Sequence, residues 1–245
     1  MNEKDLASII KEREGGINQS ERARYAPVAF STLMRKVYVW MTLALVITGF
    51  AAYYVAHSGF IFTLYNNSAI LWGLIIAELA LVVGLSAAIN KLSLTMATLL
   101  FVLYSVINGV TLSSIFLIYT DASITKVFLI TAGTFASMAF IGYTTKKDLS
   151  SMGKYLLMAL IGLIIATLVN LFVKSSGLDL ILSYGGVLIF VGLTVYDSQK
   201  IKEMCMSMEY ADESAQKLAL LGALTLYLDF INLFIYLLRI FGKRE

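Results

Sequence analysis

Seven long apolar runs dominate this chain of 245 residues and leave few architectures open to it. They are Val37–Ala56, Ala69–Ile89, Leu94–Ile118, Lys126–Tyr143, Tyr155–Val173, Leu178–Val195 and Leu218–Arg239. Each is close to the roughly 20 residues that carry an α-helix across a bilayer. Only 14% of the residues are charged and 59% are hydrophobic, whereas a soluble domain carries about 25% charged residues. A soluble bundle of seven buried helices would need polar outer faces, and these runs have too few. Inside hydrocarbon each backbone N–H and C=O must be paired within the protein, so apolar runs of this length become helices. The expected fold is an all-α polytopic membrane protein with seven transmembrane helices.

Residues 1–36 read as a polar cytoplasmic arm, with a short helix at Asp5–Glu14 broken at Gly15-Gly16, and residues 37–242 as one transmembrane domain. No short apolar core with a small-residue cleavage site opens the chain, so the first run is expected to be an uncleaved span. The only proline, Pro27, precedes that run, so no span is expected to bend at proline. A single cysteine, Cys205, excludes an intrachain disulfide and a cysteine-rich metal site. The lone histidine, His57, falls in a short connection and reads as a solvated loop residue. With the N-terminus cytoplasmic, fourteen of the nineteen lysines and arginines fall on the inner side and five on the outer. That bias supports N-in. Seven crossings then place the C-terminus outside, in the periplasm, together with Arg239, Lys243 and Arg244; a re-entrant last run would bring that basic cluster inside. The basic arm reads as a topology signal, not as a nucleic-acid site. The longest polar connection between spans, Lys200–Gln216, reads as a continued helix followed by a solvated turn.

A weak repeat recurs near the inner ends of the even-numbered spans: Val83-Gly84-Leu85-Ser86, Ile141-Gly142-Tyr143-Thr144 and Val191-Gly192-Leu193-Thr194. It suggests three two-helix hairpins and an unpaired seventh helix, although small residues here would also serve close helix packing. In the seventh run Gly222, Thr225, Asp229, Asn232, Tyr236 and Arg239 are spaced three and four apart, which aligns them on one helical face. Such a stripe must face a cavity or polar partners. Tyr104, Asn108 and Thr111 on the third span, and Thr167 and Asn170 on the fifth, are the partners expected for interhelical hydrogen bonds of about 0.6–2 kcal/mol each.

Three acids, Glu78, Asp197 and Asp229, lie within the runs or just at their ends, with no lysine or arginine at comparable depth. A charge at the bilayer centre costs about 2.5–3.5 kcal/mol even on the mildest scale, so such groups face a protein interior or a water path and are functional candidates. Two carboxyls close together hold one proton between them. The pair can then act as a proton-sensitive latch, or as a cation site once both ionise, and oxygen ligands suit Ca²⁺. Asp197 also has Lys200 one turn on as a simple partner. Catalysis by the pair is not expected. Two aspartates on consecutive spans resemble an intramembrane aspartyl protease, but Leu226-Tyr227-Leu228-Asp229 lacks the glycines of that family's second motif, and no proline follows position 27. No P-loop, dinucleotide fingerprint, HExxH or nucleophile elbow is present. Neither an enzyme nor a permanently bound cofactor is expected.

The run Leu224-Thr225-Leu226-Tyr227-Leu228-Asp229-Phe230-Ile231-Asn232-Leu233-Phe234, continuing to Leu238-Arg239-Ile240-Phe241-Gly242, resembles the seventh helix of the transmembrane Bax-inhibitor-motif family. Tyr196-Asp197-Ser198-Gln199-Lys200-Ile201 resembles its sixth-helix element, Thr145-Lys146-Lys147-Asp148-Leu149 its fourth-helix exit, and Ile76-Ala77-Glu78-Leu79-Ala80 its second helix. The resemblance covers roughly residues 30–242 and points to the bacterial branch. It implies a seven-helix bundle with the last helix at its centre, in the bacterial inner membrane, and a pH-sensitive leak for calcium ions as the transported species. Asp197 and Asp229 would be the pH-sensing pair and a transient Ca²⁺ site, with Glu78, Asn108, Thr225, Asn232 and Tyr236 along the pore. Members often place an arginine at the inner end of the second helix, to take over an aspartate on opening; here only Lys91 could stand in. The resemblance also implies two other roles: modulation of a membrane quality-control protease or another membrane partner, and calcium/proton antiport.

Overall fold

The protein is described by a computed structural model, which covers the backbone of residues 3–244 and the side chains of residues 26–244 apart from Tyr65. The helices are α1 (Glu3–Ala56), α2 (Phe60–Asn66), α3 (Ser68–Ala88), α4 (Leu94–Leu112), α5 (Asp121–Thr144), α6 (Ser150–Val173), α7 (Ser176–Met206) and α8 (Glu213–Phe241), with a 3-10 turn at Ser113–Leu117. Among the described residues, seven helices are long and apolar enough to cross a membrane: α1 from Ala26, α3, α4 continued by the 3-10 turn, α5, α6, α7 and α8. The expected all-α, seven-span architecture is the one observed.

Helix ends differ from the apolar runs for a local reason. Hydropathy stops at the first charges, but a helix continues until its end groups are capped. Ser93 Oγ accepts from Met96 N at 3.2 Å, Thr120 Oγ1 from Ser123 N at 3.3 Å, Ser175 Oγ from Leu178 N at 3.3 Å and Asp212 Oδ1 from Ala215 N at 2.8 Å. At its other end the sixth span runs eleven residues past Val195, to Met206, where the Ser207 N–H caps it on the Glu203 carbonyl, and the continued helix expected after Lys200 is present. The expected break at Gly15-Gly16 is absent: the backbone of α1 is helical from Glu3, and Pro27 lies inside both that helix and the first span. The short α2 had no apolar signature of its own.

α8 is the axis of the bundle. Two thirds of its apolar stretch is buried by protein, against 6% for α3 and for α6. α1, α4, α5 and α7 pack directly on it, while α3 lies outside on α4 and α6 outside on α7. Within the three sequential pairs, side-by-side packing is closest for α6 and α7; α1 lies mainly against α4, and α5 against α7. Two of the repeat glycines explain close approaches. A Cβ on Gly142 would strike the Val195 carbonyl of α7, and one on Gly192 would press on Leu156 of α6, whereas Gly84 faces open space.

The two ends of α8 are tied to opposite ends of the bundle. At its start, Lys36 Nζ donates to Gln216 Oε1 at 2.5 Å, Leu94 N to Glu213 Oε1 at 3.0 Å and Lys217 Nζ to the Leu92 carbonyl at 3.1 Å. At its finish, Lys243 N donates to Ser123 Oγ at 2.8 Å, Thr120 N to the Lys243 carbonyl at 3.2 Å, and Arg239 approaches Asp179 at 3.6 Å. α8 thus runs the full length of the bundle, as a crossing helix does and a re-entrant one does not.

Candidate functional site

The polar stripe of α8 opens onto a cavity of about 670 Å³ between α3, α4, α6, α7 and α8. Thr225, Asp229, Asn232 and Tyr236 form its α8 wall; Glu78 faces it from α3, Tyr104 from α4 and Asp197 from α7. Lys154 and Lys200 line it as well. From Thr225 to Tyr236 it follows α8 for about 16 Å.

Asp197 and Asp229 come together there, their carboxyls facing one another across α7 and α8. The register of two antiparallel helices brings this about. Gly222 lets Ile201 close on α8, and Gly186 lets the Tyr236 ring close on α7. At that register Asp197 stands roughly level with Leu226, so Asp229 is about one turn, ~5 Å, further along, a gap two aspartate side chains bridge. On hydropathy alone Asp197 sits too near a helix end to meet Asp229; the extension of α7 to Met206 places it well inside. A hydrogen bond between two carboxyls requires a proton on one of them. Asp229 is 5% exposed and its Oδ2 is buried without a partner.

Neighbouring residues hold this arrangement. Gly153 of α6 has no side chain where the Tyr196 ring lies, beside Asp197. Gln199 clamps the α5–α6 connection: its Nε2 donates to the carbonyls of Lys147 at 2.7 Å and Thr145 at 3.3 Å, and its Oε1 accepts from Leu149 N at 3.0 Å. The two sequence elements Tyr196–Ile201 and Thr145–Leu149 are therefore one structural unit.

Several expectations change. Thr225 and Asn232 do not bond across helices: Thr225 Oγ1 donates to the Leu221 carbonyl at 3.1 Å and Asn232 Nδ2 to the Leu228 carbonyl at 2.8 Å. Thr111 and Thr167 likewise donate to their own helices, and Asn170 Oδ1 accepts from Ser175 N at the end of α6. Back-bonding one turn away competes well for short side chains in a helix, and it leaves the stripe facing the cavity. Lys91 is exposed in the turn after α3 and does not line the cavity. The cation whose charge acts on Asp197 is Lys200, which also lies 5.8 Å from the Tyr196 ring centre.

Asn108 is set behind the cavity wall. Its Oδ1 accepts from Tyr227 Oη at 2.9 Å, and Tyr227 also shares a 2.7 Å bond with Thr48 Oγ1, which donates to the Ser105 carbonyl at 2.9 Å. The Glu78 carboxyl of α3 stands beside Asn108 and Thr111 of α4, and its Oε1 is buried without a partner. Tyr227 is the residue sequence reasoning missed. An aromatic in an apolar run reads as core, and only its partners reveal a polar centre.

A seven-helix membrane protein whose central helix carries a paired aspartate into a cavity is the class that fold and site define. The family model described as "Inhibitor of apoptosis-promoting Bax1" matches residues 30–245, and the chain belongs to that family. It is 54% identical to the inner membrane protein YbhL of Escherichia coli over 216 residues, 87% of this chain and 92% of that protein. It is 48% identical to an uncharacterised protein of Borreliella burgdorferi, covering 86% and 92% of the two chains. It is 37% identical to an uncharacterised membrane protein of Streptococcus pyogenes, covering 89% and 95%.

Proposed function

We propose that this protein passes Ca²⁺ through a bacterial inner membrane, N-terminus inside and C-terminus outside, along the cavity beside α8, and that Asp197 and Asp229 form its pH-sensitive gate. The observation that carries this reading is the carboxyl pair at membrane depth, with the unpartnered Oδ2 of Asp229, in a cavity that α8 lines with polar side chains. While one proton is shared, the pair is a closed hydrogen-bonded unit. Loss of that proton leaves two facing anions, which repel and free oxygens for a hard cation. Among the described residues no three His, Cys, Asp or Glu side chains converge as a metal cluster. A Ca²⁺ ion at the pair would complete its shell with neutral oxygens and water, which suits passage better than residence. Proton and Ca²⁺ compete for the same oxygens, so Ca²⁺ binding strengthens as pH rises and releases protons. Lys200, beside Asp197, is the cation placed to receive its carboxylate when the pair parts.

The test is Ca²⁺ flux into liposomes holding the purified protein, across the neutral pH range, with wild type set against Asp197→Asn and Asp229→Asn. The expected result is a pH-dependent flux whose pH response is lost in both variants. Equal flux and equal pH response in all three proteins refutes the proposal. A pH gradient imposed without a Ca²⁺ gradient separates leak from antiport, because only an antiporter then moves Ca²⁺ uphill.

A further inference from the structure

On the other side of α8 a second and larger hollow, about 1100 Å³, lies between α1 and α5 and is nearly all apolar. α1 and α5 flank it and meet at its Tyr143 end, where the Phe30 ring of α1 stacks on Tyr143 at 6.4 Å between ring centres. Its floor is the back of the gate helix, Phe230 and Phe234, with Phe135 and Ala139 of α5 beside them. Phe230 directly follows Asp229 in the chain. On α1 the lining runs from Tyr38 to Tyr53, about 22 Å of helix. On α5 the wall runs about 12 Å from Tyr143 to Phe135, which packs on Phe230, within the roughly 15 Å of one leaflet of a hydrocarbon core, so a chain entering at that end reaches Phe230.

The end of the groove marked by Tyr38 and Tyr143 is basic. Lys202 Nζ stands 5.6 Å from the Tyr143 ring centre. Lys146 and Lys147 follow Tyr143 by one turn and are exposed, and exposed Arg35 precedes Tyr38 by three residues. Asp148 in the same connection accepts from Ser150 N at 2.8 Å, and exposed Glu203 follows Lys202 directly in the chain. Apolar length closed by tyrosine hydroxyls and lysines matches one ligand chemistry: acyl chain below, anionic headgroup above.

We infer that the α1–α5 groove is a binding site for an anionic phospholipid of the surrounding bilayer, with an acyl chain against Phe230 and Phe234 and the phosphate among Lys146, Lys147 and Lys202. The inference is independent of what crosses the cavity. A lipid seated there touches α8 on the face opposite the aspartate pair, so lipid composition reaches the gate helix directly.

Native mass spectrometry of the full chain, purified in mild detergent and offered equal amounts of phosphatidylglycerol and phosphatidylcholine, tests this. Wild type is expected to hold one phosphatidylglycerol severalfold in preference to phosphatidylcholine. Ala136→Trp, and independently Val46→Trp, fill the groove from its two walls and are expected to lose the adduct while keeping the wild-type melting temperature. Phe172→Trp, on the outer face of α6 where Phe172 is 88% exposed, should keep it. Replacing Lys146, Lys147 and Lys202 together with alanine should leave a lipid bound but abolish the headgroup preference. Absence of an adduct, an adduct unchanged by both groove-filling variants, or a protein dimer in its place overturns the inference.

Discussion

Asp229 and Tyr227 are two residues apart on α8 and face opposite surroundings. Asp229 lines the cavity and has a buried carboxylate oxygen without a partner, while Tyr227, fully buried, donates its hydroxyl to Asn108, lies 2.7 Å from the Thr48 hydroxyl and stacks edge-on with Phe101 and Tyr104. Tyr227→Phe removes the hydroxyl and leaves Asn108 Oδ1 short of its donor. An unsatisfied buried polar group costs about 1–3 kcal/mol, so the variant is expected to melt earlier in detergent by circular dichroism and still to conduct in liposomes. Unchanged melting would mean the buried network contributes nothing. Asp229 was legible in the sequence because a carboxylate among Leu, Ile and Phe has few explanations. Tyr227 was not, because the apolar body of a tyrosine hides its polar tip within an apolar run.

At the level of single elements, the spacing of α8 foretold which face is polar but not what that face meets. Thr225 and Asn232 on the stripe bond back to carbonyls of their own helix, a choice set by backbone geometry one turn away that spacing does not encode. The meeting of Asp197 with Asp229 was similarly hidden, since it depends on where α7 ends and on the close approaches at Gly186 and Gly222. Gln199 is the clamp of the site, binding three backbone groups of the α5–α6 connection. Gln199→Ala is expected to speed amide hydrogen exchange at Leu149 by at least tenfold, as loss of about 1.4 kcal/mol of local protection would. Exchange unchanged at Leu149 would show that the connection is held by other contacts.

Across the whole molecule, seven spans and a central last helix were readable from run lengths and from the family resemblance, whereas the inner ring of α1, α4, α5 and α7 was not. Ring membership depends on which helix faces interlock, and those faces are almost uniformly apolar in sequence. The ties of α8 to both ends of the bundle predict that Lys146 and Lys243 lie on opposite sides of the membrane. Single cysteines at these positions, in a chain with Cys205 replaced by alanine, should be labelled by an impermeant maleimide from opposite sides of sealed vesicles; labelling of both from one side contradicts a full crossing. The central claim is that the aspartate pair holds one proton and yields it to a cation. Infrared difference spectroscopy of the protein in lipid reads this directly through the C=O stretch of a protonated carboxyl. Such a band is expected at neutral pH in wild type, with its loss in Asp229→Asn and its decay as Ca²⁺ is added. A band insensitive both to Ca²⁺ and to Asp229→Asn, or no band at all, would contradict it.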